Sequence, residues 1–96
     1  MHNNDNTVNA IIPHDVSPQD IAHQIVADYV NSTFKPEGNF EIFSVWFCYI
    51  LGGWKALVST TLSDGMYYEV TYNTNKNEAY LDAYSKVENW RITINA

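Results

Sequence analysis

The hydrophobic pattern begins with one amphipathic segment, VSPQDIAHQIVADYVN. Its apolar positions recur at the spacing of a helix face: Ile21, Ala22, Ile25, Val26, Tyr29 and Val30. Ser17 is a favourable N-cap, Pro18 suits the first helical position, and Asp20 completes a capping box. The segment therefore predicts a helix over residues 18–31.

After this helix, apolar and polar residues alternate over shorter segments, which is the pattern of β-strands. FEIFSVWFCYIL and WKALVSTTL flank Gly52-Gly53, and this arrangement predicts a hairpin with a two-residue turn. Such a turn sets Leu51 opposite Trp54. The core side of the first strand then carries Phe43, Val45, Phe47 and Tyr49.

The third strand, MYYEVTYN, is compatible with two turns before it. A two-residue Asp64-Gly65 turn points Tyr68 and Tyr72 away from the core side, whereas a three-residue turn from Ser63 to Gly65 points them into it. Because a slip of one residue exchanges the two faces of a strand, burial of the large rings favours the three-residue turn. We therefore predict that Tyr68 and Tyr72 lie on the core side.

The last part of the chain is ambiguous, since residues 78–88 fit either a helix or a strand. The loop NTNKN favours a hairpin, and we predict a strand. WRITI follows with Trp90, Ile92 and Ile94 on one face. The whole pattern predicts an α+β fold, with one N-terminal helix packed on one face of a four- to five-stranded antiparallel meander. Residues 1–12 are predicted to be a disordered or extended tail, and 13–96 a single domain.

The sheet face opposite the helix is the strongest candidate for a functional surface. Its predicted members are Ile42, Ser44, Trp46, Cys48, Ile50, Lys55, Leu57, Ser59, Thr61, Tyr67, Glu69 and Thr71. Exposed apolar patches usually mark a contact with a partner, and Trp and Tyr are common anchors of such contacts. We predict that a partner binds to Trp46, Ile50, Leu57, Tyr67 and Glu69. The alternative is that WRITI or the N-terminal segment folds over this face.

Composition narrows the function classes. The net charge is −6 and only five residues are Lys or Arg, so direct nucleic-acid binding is disfavoured. Cys48 is the single cysteine, which excludes an intrachain disulfide and fits a reducing cytoplasm. No apolar run approaches the roughly 20 residues of a membrane span, and the N-terminus lacks the features of a signal peptide. We expect a cytoplasmic protein without membrane contacts.

Residues capable of chemistry do not form a recognisable motif. His2, His14 and His23 lack the close spacing of metal ligands, and we expect His23 to be solvated. Cys48 is interpreted as a small apolar strand residue rather than a nucleophile. The carboxylates are scattered along the chain. The sequence therefore predicts no enzyme activity, no cofactor and no metal site.

The segments WKALVSTTL, DGMYYEVTYN, YLDAY and VEN, together with IAHQIVADYVN, resemble a family of small uncharacterised proteins from phages and prophages of Gram-positive bacteria. The resemblance covers residues 18–90 and carries no assigned catalytic residue. It implies a phage context, in which many short acidic proteins bind host proteins and some block CRISPR effectors by imitating DNA. This chain departs from a strong DNA mimic, because only 17% of its residues are charged and its acids form no runs.

These observations lead to the expectation of a phage-encoded, non-enzymatic protein that binds and inhibits a host protein in the host cytoplasm. A nuclease-type defence effector such as a CRISPR effector is one candidate. Two alternatives remain open. One is a homodimer that pairs the same sheet faces and has a structural role in the phage cycle. The other is a protein that sequesters a small molecule in a cavity lined by Tyr29, Tyr49 and Tyr68.

Overall fold

A computed structural model describes Thr7 and residues 15–95. These residues form one helix and four strands in chain order: α1 (Pro18–Thr33), β1 (Ile42–Ile50), β2 (Gly53–Thr60), β3 (Met66–Asn73) and β4 (Glu78–Ser85). The strands form one antiparallel sheet in the order β1-β2-β3-β4. The predicted α+β fold is confirmed, and the ambiguous last segment is a strand. The predicted tail, residues 1–12, lies outside the described residues apart from Thr7.

α1 begins where its capping residues predict. The side chain of Ser17 accepts a hydrogen bond from the Asp20 backbone N–H at 3.2 Å, and this satisfies one of the free donors of the first turn. At the other end, the Phe34 N–H donates to the Val30 carbonyl at 2.9 Å. Lys35 then adopts a φ of +48°, so the chain leaves the helical path there.

The core lies between α1 and the face of the sheet that α1 covers, here called the helix side. It lies chiefly over β1 and β2. Its buried side chains are Ala22, Val26, Val30, Trp54, Ala56, Val58, Tyr68 and Val70. Aromatic rings extend this core: Tyr29 meets Tyr68 edge-on at 5.7 Å, and Tyr72 stacks on Trp54 at 5.5 Å. Tyr68 and Tyr72 therefore lie on the core side, as the sequence predicts.

The β1–β2 turn differs from the prediction. Leu51 and Gly52 form it, with Gly52 at a φ of +85°, whereas Gly53 belongs to β2. A Cβ atom at Gly53 would lie 1.8 Å from the carbonyl oxygen of Tyr72. The second glycine is therefore required for the close approach of β3, and the predicted Gly52-Gly53 turn is wrong.

The register of β1 on β2 shifts accordingly. Trp54 faces Tyr49 rather than Leu51. A shift of two residues keeps every side chain on its predicted face, because side chains alternate with a period of two. A bulge between Ser44 and Trp46 breaks this rule, since one extra residue on β1 exchanges the faces of everything before it.

The bulge corrects four assignments in β1. Ile42 and Ser44, predicted on the far face, lie on the helix side, where Ile42 packs against the core. Phe43, predicted in the core, pairs with Ser59 on the opposite face and is exposed. Val45 is the bulged residue itself and is exposed as well.

The β2–β3 connection is also longer than predicted. Residues 61–65 form it, and Val58 pairs with Tyr68, so Leu62 does not pair with Met66 as the three-residue turn requires. Gly65 has a φ of +68°, and the Asp64 carboxylate accepts a hydrogen bond from the Met66 N–H at 3.1 Å. The predicted pairing of β2 with β3 is again displaced by an even number of residues, so the predicted faces of β3 are correct.

Residues 86–95, here called the C-terminal arm, form no helix or strand. Its large apolar side chains are open to solvent: Trp90 is 77% exposed, Ile92 75% and Ile94 83%. The described residues therefore contain four strands and not five. Because these side chains are exposed, WRITI does not fold over the far face of the sheet in a single chain.

Candidate functional site

The sheet face opposite α1, here called the second face, is a regular grid of side chains. The strand registers align them in four rows across the sheet: Ile50–Gly53–Asn73–Glu78, Cys48–Lys55–Thr71–Tyr80, Trp46–Leu57–Glu69–Asp82 and Phe43–Ser59–Tyr67–Tyr84. Within each row, the Cα atoms of residues on neighbouring strands lie about 4.5–5.5 Å apart. The second face is thus a rigid platform, and its composition can be compared row by row.

All five predicted partner-binding residues lie on the second face. Trp46 is paired with Leu57, and Leu57 with Glu69, so three of them form one continuous row. Tyr67 is two positions from Glu69 on β3, and Ile50 is at the turn end of β1. Trp46 and Ile50 are each 40% exposed, which makes them accessible to a partner.

An ion pair divides the apolar part of this surface. The Lys55 Nζ lies 3.8 Å from a carboxylate oxygen of Glu69, and both side chains are partly buried. The apolar residues are consequently concentrated toward β1 rather than spread over the whole sheet. Phe43 extends this apolar strip and was missed by sequence reasoning, because the bulge that turns it outward has no glycine or proline to mark it.

The β4 side of the second face has a different chemistry. Glu78, Tyr80, Asp82 and Tyr84 project there in alternation. The Tyr80 hydroxyl donates to the Glu78 carboxylate at 2.6 Å, and this bond raises the pKa of Tyr80. The Glu69 carboxylate raises the pKa of Tyr84, with burial and Asp82 adding to the effect. This edge therefore offers carboxylates and protonated hydroxyls to a partner, and the alternation in EAYLDAY is the sequence signal for it.

A cleft of about 370 Å³ opens at the Phe43 end of the second face. Ser59, Met66, Tyr67 and Lys86 contribute to its walls. The Ser59 hydroxyl donates to the Met66 carbonyl at 2.9 Å, and the Lys86 Nζ lies 5.9 Å from the centre of the Tyr67 ring. The cleft is open to solvent and large enough to receive one side chain of a partner.

Two other candidate residues occupy defined positions. His23 is less solvated than expected: it is half-buried between α1 and β1, and its Nε2 lies 2.8 Å from the Ser44 hydroxyl. This bond forms because the bulge turns Ser44 toward the helix. Cys48 is exposed on the second face, where the sequence placed it. His2 and His14 lie outside the described residues.

The three tyrosines of the predicted small-molecule cavity do not come together. Tyr29 contacts Tyr68, but Tyr49 is 73% exposed and packs its ring against Phe47 at 5.1 Å. Tyr68 is fully buried, and its hydroxyl has no hydrogen-bond partner among the described residues. Burial, helped by the Asp64 carboxylate and Tyr29, raises the pKa of Tyr68 to about 12.

Among Thr7 and residues 15–95, no three His, Cys, Asp or Glu side chains are grouped so that they could hold a metal ion. Within the same residues no helix is both long and apolar enough to cross a membrane. Among the described residues, the second face is consequently the strongest candidate for a functional surface.

Comparison with known proteins supports a family but no activity. A protein family defined only as a family of unknown function, DUF6275, matches residues 19–94. The chain belongs to DUF6275. No curated protein and no solved structure matches it. The family match covers α1 from its second residue, the whole sheet and most of the C-terminal arm.

Proposed function

We propose that this DUF6275 protein is a small, non-enzymatic binding module that holds a partner protein on the second face. The observation that carries the proposal is the row formed by Trp46, Leu57 and Glu69, with Trp46 40% exposed on a rigid sheet. Large rings that are partly exposed and already held in place lose little conformational freedom on binding, which is why they are frequent binding hot spots.

The two sides of the second face indicate what the partner offers. The β1 side presents Trp46, Ile50 and Phe43, which suit an apolar ridge or pocket. The β4 side presents Glu78 and Asp82, which suit Lys or Arg. A partner surface with an apolar centre and a basic margin would complement both. The net charge of −6 would also speed the approach of a basic protein.

We further propose that the partner is a host protein, that the chain is phage-encoded and acts in the host cytoplasm, and that binding inhibits the partner. The support is the resemblance to small phage and prophage proteins, together with the acidic charge. A nuclease-type defence effector, such as a CRISPR effector, has the basic nucleic-acid channel that an acidic edge would occupy. Because only 17% of residues are charged, contact with an apolar surface must supply a large part of the affinity.

The test is affinity capture from host lysate with the wild type and two variants of β1. Trp46→Ala removes the anchor on the second face, whereas Tyr49→Ala removes an exposed ring from the other face of the same strand. We expect a captured protein to bind Trp46→Ala with at least about 30-fold lower affinity, since a hot-spot truncation costs about 2 kcal/mol. Tyr49→Ala is expected to bind as the wild type does.

Equal loss of binding in both variants, or in neither, would contradict the assignment of the second face. Circular dichroism on both variants excludes unfolding as the cause. Inhibition is tested separately, by measuring the activity of the captured protein with and without a saturating amount of the wild-type chain.

A further inference from the structure

The C-terminal arm has the sequence pattern of an amphipathic strand but no partner strand among the described residues. Trp90, Ile92 and Ile94 alternate with Arg91 and Thr93, which is the pattern of a strand with one buried face. Yet the three apolar side chains are at least 75% exposed. Within the described chain, no backbone group of residues 87–95 is hydrogen-bonded to another backbone group.

The arm begins as a continuation of β4. The Lys86 N–H donates to the Gly65 carbonyl at 2.8 Å, which continues the β3–β4 ladder one residue beyond the pair Met66–Ser85. The arm therefore begins in line with β4, and residues 87–95 form no backbone hydrogen bond with the outer edge of β4. That edge consequently keeps its free backbone donors and acceptors, which are a template for another strand.

The outer edge of β4 is a better template than the outer edge of β1. β4 pairs with β3 without interruption over Glu78–Ser85, whereas the bulge at Val45 interrupts the ladder of β1. Bulges discourage edge-to-edge pairing, and β4 has neither a bulge nor a proline or lysine to protect it.

Shape and charge match the arm to the β4 edge. On the helix side, Ala79 and Ala83 are small and exposed, because α1 packs over β1 and β2 at the other side of the sheet. Large apolar side chains of an added strand would fill the space above these alanines. On the second face, Asp82 and Glu78 would meet the polar side of the same strand, which carries Arg91.

We propose that two copies of this chain exchange their C-terminal arms, each arm adding as a fifth strand to the β4 edge of the other copy. Two copies related by a two-fold axis place their β4 strands antiparallel, so an arm that continues β4 lies antiparallel to β4 of the second copy. Both arms are then bound by the same contacts.

One register between the arm and β4 satisfies both the match in side-chain size and the match in charge. It sets Trp90 opposite Ala83, Arg91 opposite Asp82, Ile92 opposite Leu81, Thr93 opposite Tyr80 and Ile94 opposite Ala79. Each large arm residue at the ends meets a small one, and Arg91 meets a carboxylate. The predicted fifth strand is therefore formed between two chains rather than within one. The exchange engages Asp82 and Glu78, which the proposed function assigns to the basic margin of the partner, whereas the apolar β1 side of the second face stays free for that partner.

The first test is the molar mass in solution by sedimentation velocity over a range of concentrations. The 11.0 kDa chain is expected to form a dimer of twice that mass. Ile92→Asp puts a charge on the buried side of the arm and should raise the dimer dissociation constant at least about tenfold, while the matched change Thr93→Asp on the other side should have a smaller effect. Removal of residues 90–96 should leave a folded monomer.

The second test is a charge exchange between the arm and the edge. Arg91→Glu should weaken the dimer, and Asp82→Lys in the same chain should restore it, because the two side chains are opposite each other across the interface. A wild-type monomer at all concentrations would overturn the proposal. So would a dimer that survives removal of residues 90–96, or a failure of Asp82→Lys to restore association. Circular dichroism establishes that each variant is folded.

Discussion

The two faces of the sheet are built from the same four strands, yet they differ in almost every physical property. On the helix side, Ala56, Val58 and Val70 are fully buried beneath α1. On the second face, their neighbours Leu57 and Glu69 remain partly accessible, and Glu69 is paired with Lys55. One face therefore stabilises the fold, and the other keeps polar and aromatic groups available at its surface. Partial exposure on the second face is compatible with a stable domain because the helix side supplies the core.

The strongest way to test this contrast is to place a charge on each face of β2. Val58→Asp is expected to lower the free energy of unfolding by about 4 kcal/mol or more, since an unpaired carboxylate would be buried in the core. Leu57→Asp, one residue away on the second face, should cost about 1–2 kcal/mol, because its carboxylate reaches water although it lies opposite Glu69. Urea unfolding followed by tryptophan fluorescence measures both values. Equal losses would mean that the two faces are equally buried.

The sequence predicts the helix, the four strands and the face on which most side chains lie. Those predictions depend on local physics, namely the Ser17 cap and the alternation of apolar residues. The turn at Leu51 and Gly52 was missed because Gly53 is needed for the close approach of β3, which is a contact between distant parts of the chain. The side chains next to this turn nevertheless lie on their predicted faces, because the predicted β1–β2 pairing is displaced by an even number of residues.

The candidate site could be predicted less completely. Trp46 and Leu57 were placed correctly, whereas Phe43 was assigned to the wrong face. A bulge costs little and needs no special residue, so nothing in FEIFSVW marks Val45 as the extra position. The unpaired arm could not be predicted at all, since an alternating pattern shows that a strand will be half buried but not which chain supplies its neighbour.

An effect of intermediate size on the free energy of unfolding is expected for Tyr68, a fully buried ring on the helix side. The Tyr68 hydroxyl is buried and finds no partner among the described residues, so Tyr68→Phe should raise the free energy of unfolding by about 1 kcal/mol. Its pKa of about 12 in the folded protein, against 10.0 in the unfolded chain, adds a dependence on pH. Above pH 10 the unfolded state releases this proton and the folded state keeps it, so the wild type loses stability as the pH rises toward 12.

The measurement is the urea midpoint of the wild type and of Tyr68→Phe across the same pH range. Below pH 10 the folded and the unfolded wild type both keep the Tyr68 proton. The difference in urea midpoint between the wild type and Tyr68→Phe should therefore be constant there. Between pH 10 and 12 the difference should grow in favour of the variant. A destabilised Tyr68→Phe protein would show instead that the hydroxyl is hydrogen-bonded and that the core is wetter than its burial indicates.

The smallest expected effect belongs to the ion pair on the second face. Lys55 and Glu69 lie 3.8 Å apart and keep 35% and 22% of their side-chain surface exposed. Water therefore screens their attraction, and a double-mutant cycle with Lys55→Met and Glu69→Gln should give a coupling of about 0.5 kcal/mol. The coupling should fall further in 1 M salt, where the screening length is about 3 Å. A coupling above about 2 kcal/mol would require both charges to be removed from water. The second face would then be covered in solution, and its contrast with the helix side would disappear.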